Sequence, residues 1–167
     1  MFDDFKELLS AFNVHNVRYL IVGGYAVSFH AQPRATKDLD IFIKAAPENA
    51  RAAFAALASF GAPLTEIRES DLANPHKFIR FGQAPVAVDI LPGIDGVDFD
   101  DAWDRRVEAV IDPKTGLTAF FISKKDLIAS KIAAGRTRDI ADVDEIQQAE
   151  ASRLDPETQK PAKPADS

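Results

Sequence analysis

Two short apolar segments, Tyr19–Val22 and Leu39–Ile43, flank a stretch that begins with the glycine pair Gly23-Gly24. Apolar runs of this length, bounded by glycine and polar residues, are typical of buried strands. The second strand has Asp38 at its mouth and Asp40 inside it, and alternation along a strand places both carboxylates on one face. A negative charge in an apolar strand is costly unless a partner neutralises it. The pattern therefore predicts a site for a hard cation with oxygen ligands, and Mg²⁺ fits.

A third carboxylate, Asp89, interrupts the apolar segment Val86–Leu91. If this strand neighbours the one that carries Asp38 and Asp40, the three acids surround a site for one or two Mg²⁺ ions. Such a site suits phosphoryl or nucleotidyl transfer, because the metal neutralises phosphate charge and lowers the pKa of an attacking hydroxyl. Asp89 is then a metal ligand or the general base. A lone Asp at a strand end is more often a turn acceptor or salt-bridge partner, but acids inside apolar strands favour the joint functional interpretation.

The order of the predicted elements indicates a mixed α/β fold, with a small mixed sheet flanked by helices and a C-terminal helix pair. Apolar spacing, helix caps and turn residues set the boundaries. The predicted helices are Asp3–Asn13, Gly24–His30, Pro47–Phe60, a turn at Phe99–Trp103, Ser123–Ala134 and Arg138–Ala149. The predicted strands are Arg18–Val22, Leu39–Ile43, Leu64–Glu69, Lys77–Phe81, Val86–Leu91, Arg106–Ile111 and Thr118–Ile122. Residues 1–150 are predicted to form one domain, and residues 151–167 a disordered tail.

Composition and charge narrow the class of protein. The 167 residues suffice for one domain with a substantial core, and the absence of cysteine rules out disulfides, thiolate metal sites and thiol nucleophiles. The net charge of −6 argues against broad non-specific binding to nucleic acid, although a local basic patch beside the acids is compatible with it. No signal peptide or membrane-length apolar run is visible, so a cytoplasmic protein without a membrane partner is expected.

The spacing of the glycine pair and the acids resembles the signature of the nucleotidyltransferase superfamily, which has the polymerase β-like fold. That signature is an apolar residue and two small residues, a spacer, and an acid–apolar–acid strand, as in Val22-Gly23-Gly24 and Asp38-Leu39-Asp40. A third acid on a later strand is expected, and Asp89 matches it. The resemblance implies that the two glycines approach the nucleotide phosphates. It also implies that the three acids hold Mg²⁺, with Mn²⁺ as an alternative ion.

The C-terminal half is similar to the small bacterial AbiEii/MNT-type proteins, a group that includes toxins of toxin–antitoxin pairs. The matching residues are a helical Lys131 and the segment Arg138–Asp142. The resemblance implies that Lys131 and Asp139 matter for nucleotide binding and activity. The alternatives are a surface lysine with a solvated head and an Asp that favours a helix N-terminus. For Arg136 and Arg138 the sequence leaves open solvated side chains or pairs with neighbouring acids.

Two further candidates, Arg34 and Thr36, lie on the loop that leads into the acids. A guanidinium at this place is suited to clamp a triphosphate. Backbone amides at the start of the helix after the glycine pair suit phosphate oxygens. The predicted nucleotide-binding residues are therefore Gly23, Gly24, Arg34, Thr36, Lys131 and Asp139.

The predicted function is a Mg²⁺-dependent nucleotidyltransferase that moves a nucleoside monophosphate from a triphosphate such as ATP to a hydroxyl. The acceptor is left open among a tRNA end, a protein and a small molecule such as an antibiotic. Because the domain is short, a second copy of the chain (a homodimer) or an antitoxin is a candidate partner that would complete the site. Two alternatives keep the same fold: a non-catalytic nucleotide-binding or protein-interaction module, and a metal-dependent phosphoesterase with water as the nucleophile.

Overall fold

A six-stranded mixed sheet with helices on both faces forms the fold in the computed structural model, which describes residues 1–154. The helices are α1 (Asp3–Val14), α2 (Gly23–His30), α3 (Pro47–Phe60), α4 (Glu69–Leu72), α5 (Phe99–Asp104), α6 (Lys124–Ala134) and α7 (Thr137–Leu154). The strands are β1 (Tyr19–Val22), β2 (Asp38–Ile43), β3 (Ile79–Gln83), β4 (Val86–Leu91), β5 (Val107–Asp112) and β6 (Leu117–Phe121). The predicted mixed α/β fold is therefore confirmed.

The order of strands across the sheet is β3-β4-β2-β1-β6-β5. β1 is antiparallel to β2 and parallel to β6, and β2 is parallel to β4. The hairpins β3–β4 and β5–β6 complete the two edges. The parallel pairing of β2 with β4 matters most for function, because these two strands carry the three predicted acids.

Alternation along the strands divides the core into two layers. Leu39 and Ile41 of β2 point into a cluster with α1 and α3, whereas Phe42 points into a second cluster with α2, α5, α6 and α7. Asp38 and Asp40 share the strand face of Phe42, so they lie on the side of the sheet that α2, α6 and α7 cover. The layer of α1 and α3 supports the strands from behind.

The predicted strand Leu64–Glu69 is wrong. Residues 64–68 form turns and irregular structure, in which the Ile67 amide donates to the Leu64 carbonyl, and Glu69 begins the short helix α4. Leu64 and Ile67 pack against the core from this loop. Their apolar character therefore reflects burial without strand pairing.

The last helix is longer than predicted. α7 ends at Leu154 rather than near Ala149, since Glu150–Arg153 contain no helix-breaking residue. The rest of the predicted tail, residues 155–167, lies outside the described residues. No helix within residues 1–154 combines the length and hydrophobicity needed to cross a bilayer.

Candidate active site

Three carboxylates from two parallel strands lie together on one face of the sheet. The register pairs Asp40 with Asp89 and Asp38 with Ala87, so alternation points all three acids the same way. Asp89 is 6% exposed, and its carboxylate is within hydrogen-bond reach of that of Asp40. We refer to Asp38, Asp40 and Asp89 as the sheet acids.

Asp40 is the sheet acid whose ionisation this arrangement changes most. Burial, the hydrogen bond and charge of Asp89, and the charge of Asp38 raise the pKa of Asp40 to about 7. The nearby Lys131 ammonium opposes the change without cancelling it. Near neutral pH Asp40 therefore retains a proton for a substantial part of the time. A bound cation would displace that proton and relieve the same repulsion.

The glycine pair places backbone directly against the acids. Gly23 has a φ of +64°, and a Cβ at this position would collide with the Asp40 carboxylate. A Cβ on Gly24 would come within 2.8 Å of the Thr36 methyl carbon. Side chains are therefore excluded from this turn. Because α2 begins at Gly23, the unpaired amides of its first turn lie at the same end of the sheet, where they suit phosphate oxygens.

A second acidic pair, on α7, is closely matched by cations. Asp139 is 1% exposed and accepts hydrogen bonds from Arg136 Nε at 2.7 Å and from Lys131 Nζ at 3.4 Å. Asp142 is 2% exposed and accepts from Arg34 Nη1 and from Lys131 Nζ, both at 2.8 Å. We refer to Asp139 and Asp142 as the helix acids. They hold three basic side chains that come from three different parts of the chain.

These cations keep the helix acids ionised. Burial raises each pKa, but Arg136 and Lys131 lower the pKa of Asp139 below its ordinary value overall. Arg34 and Lys131 have the same effect on the pKa of Asp142. Two buried carboxylates with negative charge would repel a phosphate, so their contribution is to position the cations around them.

One arginine bridges two of the sheet acids. Arg80 of β3 lies opposite Asp89 in the hairpin register, and its Nη1 donates to the two Asp89 oxygens at 3.3 and 3.2 Å. Its Nη2 donates to Asp38 Oδ2 at 3.3 Å. Sequence patterns did not single out Arg80 as a site residue. The signal lies in the predicted strands Lys77–Phe81 and Val86–Leu91, because a turn at Ala84-Pro85 between them pairs Arg80 with Asp89.

One cleft of about 810 Å³ is lined by the three sheet acids and by Asp139 of the helix acids. Its lining includes every residue that the sequence predicts for the site, namely Gly23, Gly24, Arg34, Thr36, Asp38, Asp40, Asp89, Lys131 and Asp139. Other charged residues on the lining are Lys37, Arg80, Asp95, Arg136 and Arg138. The residues chosen from separate segments of the sequence therefore share one place in the fold.

The contacts decide between the alternatives for the C-terminal residues. The Lys131 side chain is 11% exposed and ion-paired with both helix acids, which excludes a solvated surface lysine. Asp139 lies in the first turn of α7 and accepts from the Arg136 amide at 3.2 Å, so it also stabilises the helix start. Arg136 pairs with Asp139, whereas Arg138 is exposed beside the cleft.

The sheet acids offer suitable donors for a divalent cation. Mg²⁺ and Mn²⁺ prefer carboxylate oxygens, and burial together with the neighbouring charges of Asp89 and Asp38 raises the pKa of Asp40. Within residues 1–154, no three acidic or histidine side chains are preassembled as a metal site. Because Arg80 bridges Asp38 and Asp89, a cation that uses all three acids requires the Arg80 contacts to change.

Comparisons with known proteins agree with this geometry. A family model described as nucleotidyltransferase of unknown function (DUF6036) matches residues 1–155. The fold is similar to that of the lincosamide antibiotic adenylyltransferase LnuA, solved with lincomycin bound, at a TM-score of 0.51 and 14% sequence identity. That match covers 89% of this chain and 98% of the LnuA chain, and at this identity it shows a shared fold. No curated protein gives a sequence match.

Proposed function

Because the chain belongs to the DUF6036 family of nucleotidyltransferases, we propose that it transfers a nucleoside monophosphate from a triphosphate to a hydroxyl group with the help of a divalent cation. Membership of the predicted superfamily and enzymatic nucleotidyl transfer as the general activity follow from the family match. The observation that carries the more specific proposal is the register of Asp40 with Asp89, beside the close approach of Gly23.

The sheet acids would hold Mg²⁺, with Mn²⁺ as an alternative. When bound, the ion would neutralise phosphate charge and lower the pKa of the attacking hydroxyl. The α2 amides that follow Gly23 would bind phosphate oxygens. Lys131 and Arg34 would add positive charge, and the helix acids hold both in place. Thr36 contributes through its packing on Gly24, which fixes the loop against the turn.

The reaction requires a bond between the acceptor hydroxyl oxygen and the α-phosphorus of the triphosphate. The bond from the α-phosphorus to the oxygen that bridges to the β-phosphorus breaks, and pyrophosphate leaves. Asp89 would accept the hydroxyl proton, because it is the acid on the side of the sheet away from the glycine turn. Asp38 and Asp40 would serve as cation ligands.

The acceptor is proposed at the level of a hydroxyl-bearing molecule, and three classes are open: a tRNA end, a protein and a small molecule. LnuA, the structural neighbour, acts on a lincosamide antibiotic and thus on a small molecule. The AbiEii/MNT-type resemblance, the toxin role, the antitoxin partner and the homodimer stay predictions.

The direct test supplies the protein with Mg²⁺, each α-labelled triphosphate in turn, and the tRNA, protein and small-molecule fractions of a cell lysate. We expect label in one fraction, and we expect Asp40→Asn to reduce transfer by at least about 100-fold, the upper loss seen for residues one shell outside a metal. Asp144→Asn, at an exposed position of α7, serves as the control and should retain transfer.

Two outcomes would contradict the proposal. Bound nucleotide with no labelled acceptor in any fraction would identify a non-catalytic module. Release of free labelled nucleoside monophosphate, with no acceptor labelled, would identify a phosphoesterase that uses water.

A further inference from the structure

We propose that Arg80 is an internal counterion that competes with the divalent cation for Asp38 and Asp89. This inference rests on the proposed function, because it assumes that the sheet acids are the cation ligands. It assigns a role to a residue that neither the sequence patterns nor the family resemblance singled out. In the metal-free protein the guanidinium would take part of the place that the cation takes during turnover.

The Arg80 contacts are long for a charged pair. Its three hydrogen bonds to the two acids measure 3.2 to 3.3 Å, whereas charge-assisted bonds of this kind are usually about 2.7–2.9 Å. Each of the other hydrogen-bonded arginine–carboxylate pairs within residues 1–154 has a bond in that shorter range. These pairs are Arg34–Asp142 at 2.8 Å, Arg105–Asp126 at 2.8 Å and Arg136–Asp139 at 2.7 Å.

The long bonds follow from the bridging position. Asp38 and Asp89 lie on different strands and are out of register by two residues, since Asp38 pairs with Ala87. A single guanidinium that reaches both carboxylates cannot form the parallel, two-bond geometry that it forms with one. Arg80 therefore neutralises charge on two acids while holding neither tightly.

The position of Arg80 also allows its guanidinium to move away from Asp38 and Asp89. β3 is an edge strand, and the Arg80 side chain is 48% exposed. Its head can turn into solvent by side-chain rotation, with the backbone of β3 unchanged. By contrast, Lys131 is 11% exposed and is held by two buried carboxylates, so it is not free to move in this way.

The positive charge of Arg80 is expected to weaken the binding of a free divalent cation. A divalent cation that binds Asp38 and Asp89 meets the guanidinium at the same oxygens, and like charges repel at that distance. Free cation therefore binds at the cost of the Arg80 contacts. A triphosphate that arrives together with the cation adds negative charge to the cleft, which reduces the repulsion and favours joint binding.

The test measures Mn²⁺ binding to the nucleotide-free protein by calorimetry, with Arg80→Gln compared to the unmodified chain. We expect Arg80→Gln to bind Mn²⁺ roughly fivefold more tightly, the change that corresponds to removal of one partly exposed ion pair. Arg80→Lys should fall between the two, because an ammonium is a more compact charge that cannot span both acids as the guanidinium does. Arg51→Gln, at an 80% exposed position, is the matched control and should leave Mn²⁺ binding unchanged.

If Arg80 has the opposite role, the Mn²⁺ affinity of Arg80→Gln changes in the opposite direction. If Arg80 preorganised the acids for the cation, Arg80→Gln would weaken Mn²⁺ binding, and that result, or an unchanged affinity, would overturn the inference. Thermal melting in chelator confirms that each variant is folded before its titration is interpreted.

Asp40→Asn separates failure of this inference from failure of the proposed function. If Asp40→Asn weakens Mn²⁺ binding but Arg80→Gln does not tighten it, the cation site stands and only the role of Arg80 is refuted. If Asp40→Asn binds Mn²⁺ as the unmodified chain does, the sheet acids are not the ligands and both are refuted.

Discussion

Asp139 of the helix acids lines the same cleft as the three sheet acids, but the charge of the two clusters is balanced in different ways. Two helix acids are matched by Lys131, Arg34 and Arg136, with bonds as short as 2.7 to 2.8 Å. Two of the three sheet acids, Asp38 and Asp89, share one guanidinium at 3.2 to 3.3 Å. The pKa of each helix acid is lowered, whereas that of Asp40 is raised to about 7.

From this difference we propose a structural role for the helix acids and a ligand-binding role for the sheet acids. The helix acids are neutralised by the protein itself, so they contribute to stability without a ligand. The sheet acids carry charge that the protein leaves uncompensated, and such sites are candidates for ligand binding. Both clusters contain buried acids, and the distinction lies in whether basic partners already neutralise the carboxylates.

The largest effect on stability is expected at the helix acids. Asp142→Ala leaves Lys131 and Arg34 without the carboxylate that holds them, and loss of one partner from a buried ion pair costs about 3 to 4 kcal/mol of unfolding free energy. Asp144→Ala, at an exposed position of the same helix, should change that free energy by less than about 0.5 kcal/mol. Chemical denaturation of both variants checks the difference. Equal effects would mean that the helix acids are not structural.

A smaller loss of stability is expected from substitution at Gly23, where the glycine turn contacts the sheet acids. Gly23→Ala and Gly116→Ala both place a side chain at positive φ, +64° and +73°, but only the Cβ at Gly23 meets other atoms. The collision with Asp40 should make Gly23→Ala the more destabilising of the two by about 2 kcal/mol. Thermal or chemical unfolding of both variants measures their stabilities, and the difference between them reports the collision with Asp40, because both share the backbone strain of a positive φ. Similar losses would show that the turn can relax away from Asp40.

The pH dependence of stability should follow the helix acids at low pH. Their lowered pKa values mean that their stabilising contribution is complete above the unfolded-state pKa of about 3.9 and is lost as the pH falls through the folded-state values. Asp126 adds to the same trend, because although burial raises its pKa, Arg105 and Ser123 lower it overall. Urea unfolding across this acidic range should give a shallower loss for Asp142→Ala than for the unmodified chain. The same pH dependence of stability in both proteins would contradict the stabilising role assigned to the ionised Asp142.

The sequence alone predicts that Asp38 and Asp40 share one face of their strand, because side chains alternate along a strand. Helices cover both faces of the sheet, so the apolar neighbours do not identify which face carries the acids. That β2 and β4 are neighbours depends on long-range pairing, which local patterns do not encode, and the superfamily resemblance supplied that expectation. Similar reasoning failed for Leu64–Glu69, where apolar residues are buried from a loop.

Partners of the charged residues were harder to predict. Arg80 meets Asp89 only because the hairpin turns at Ala84-Pro85, and a different turn would change every pair in that register. The contact of Arg34 with Asp142 joins residues far apart in sequence, from the loop after α2 and from α7. The Arg34 contact depends on how helices pack over the sheet, so sequence patterns identified Arg34 and Lys131 as candidates but not the acids that they contact.

The most direct test of the distinction between structural helix acids and cation-binding sheet acids compares Asp40→Asn with Asp142→Ala in metal-free protein near neutral pH. Chemical denaturation in chelator measures the unfolding free energy of each variant. Because Asp40→Asn removes repulsion among the sheet acids, its unfolding free energy should be unchanged or raised, while that of Asp142→Ala falls by about 3 kcal/mol or more. A loss at Asp40→Asn as large as that at Asp142→Ala would mean that the sheet acids are structural and would contradict their assignment as the cation site.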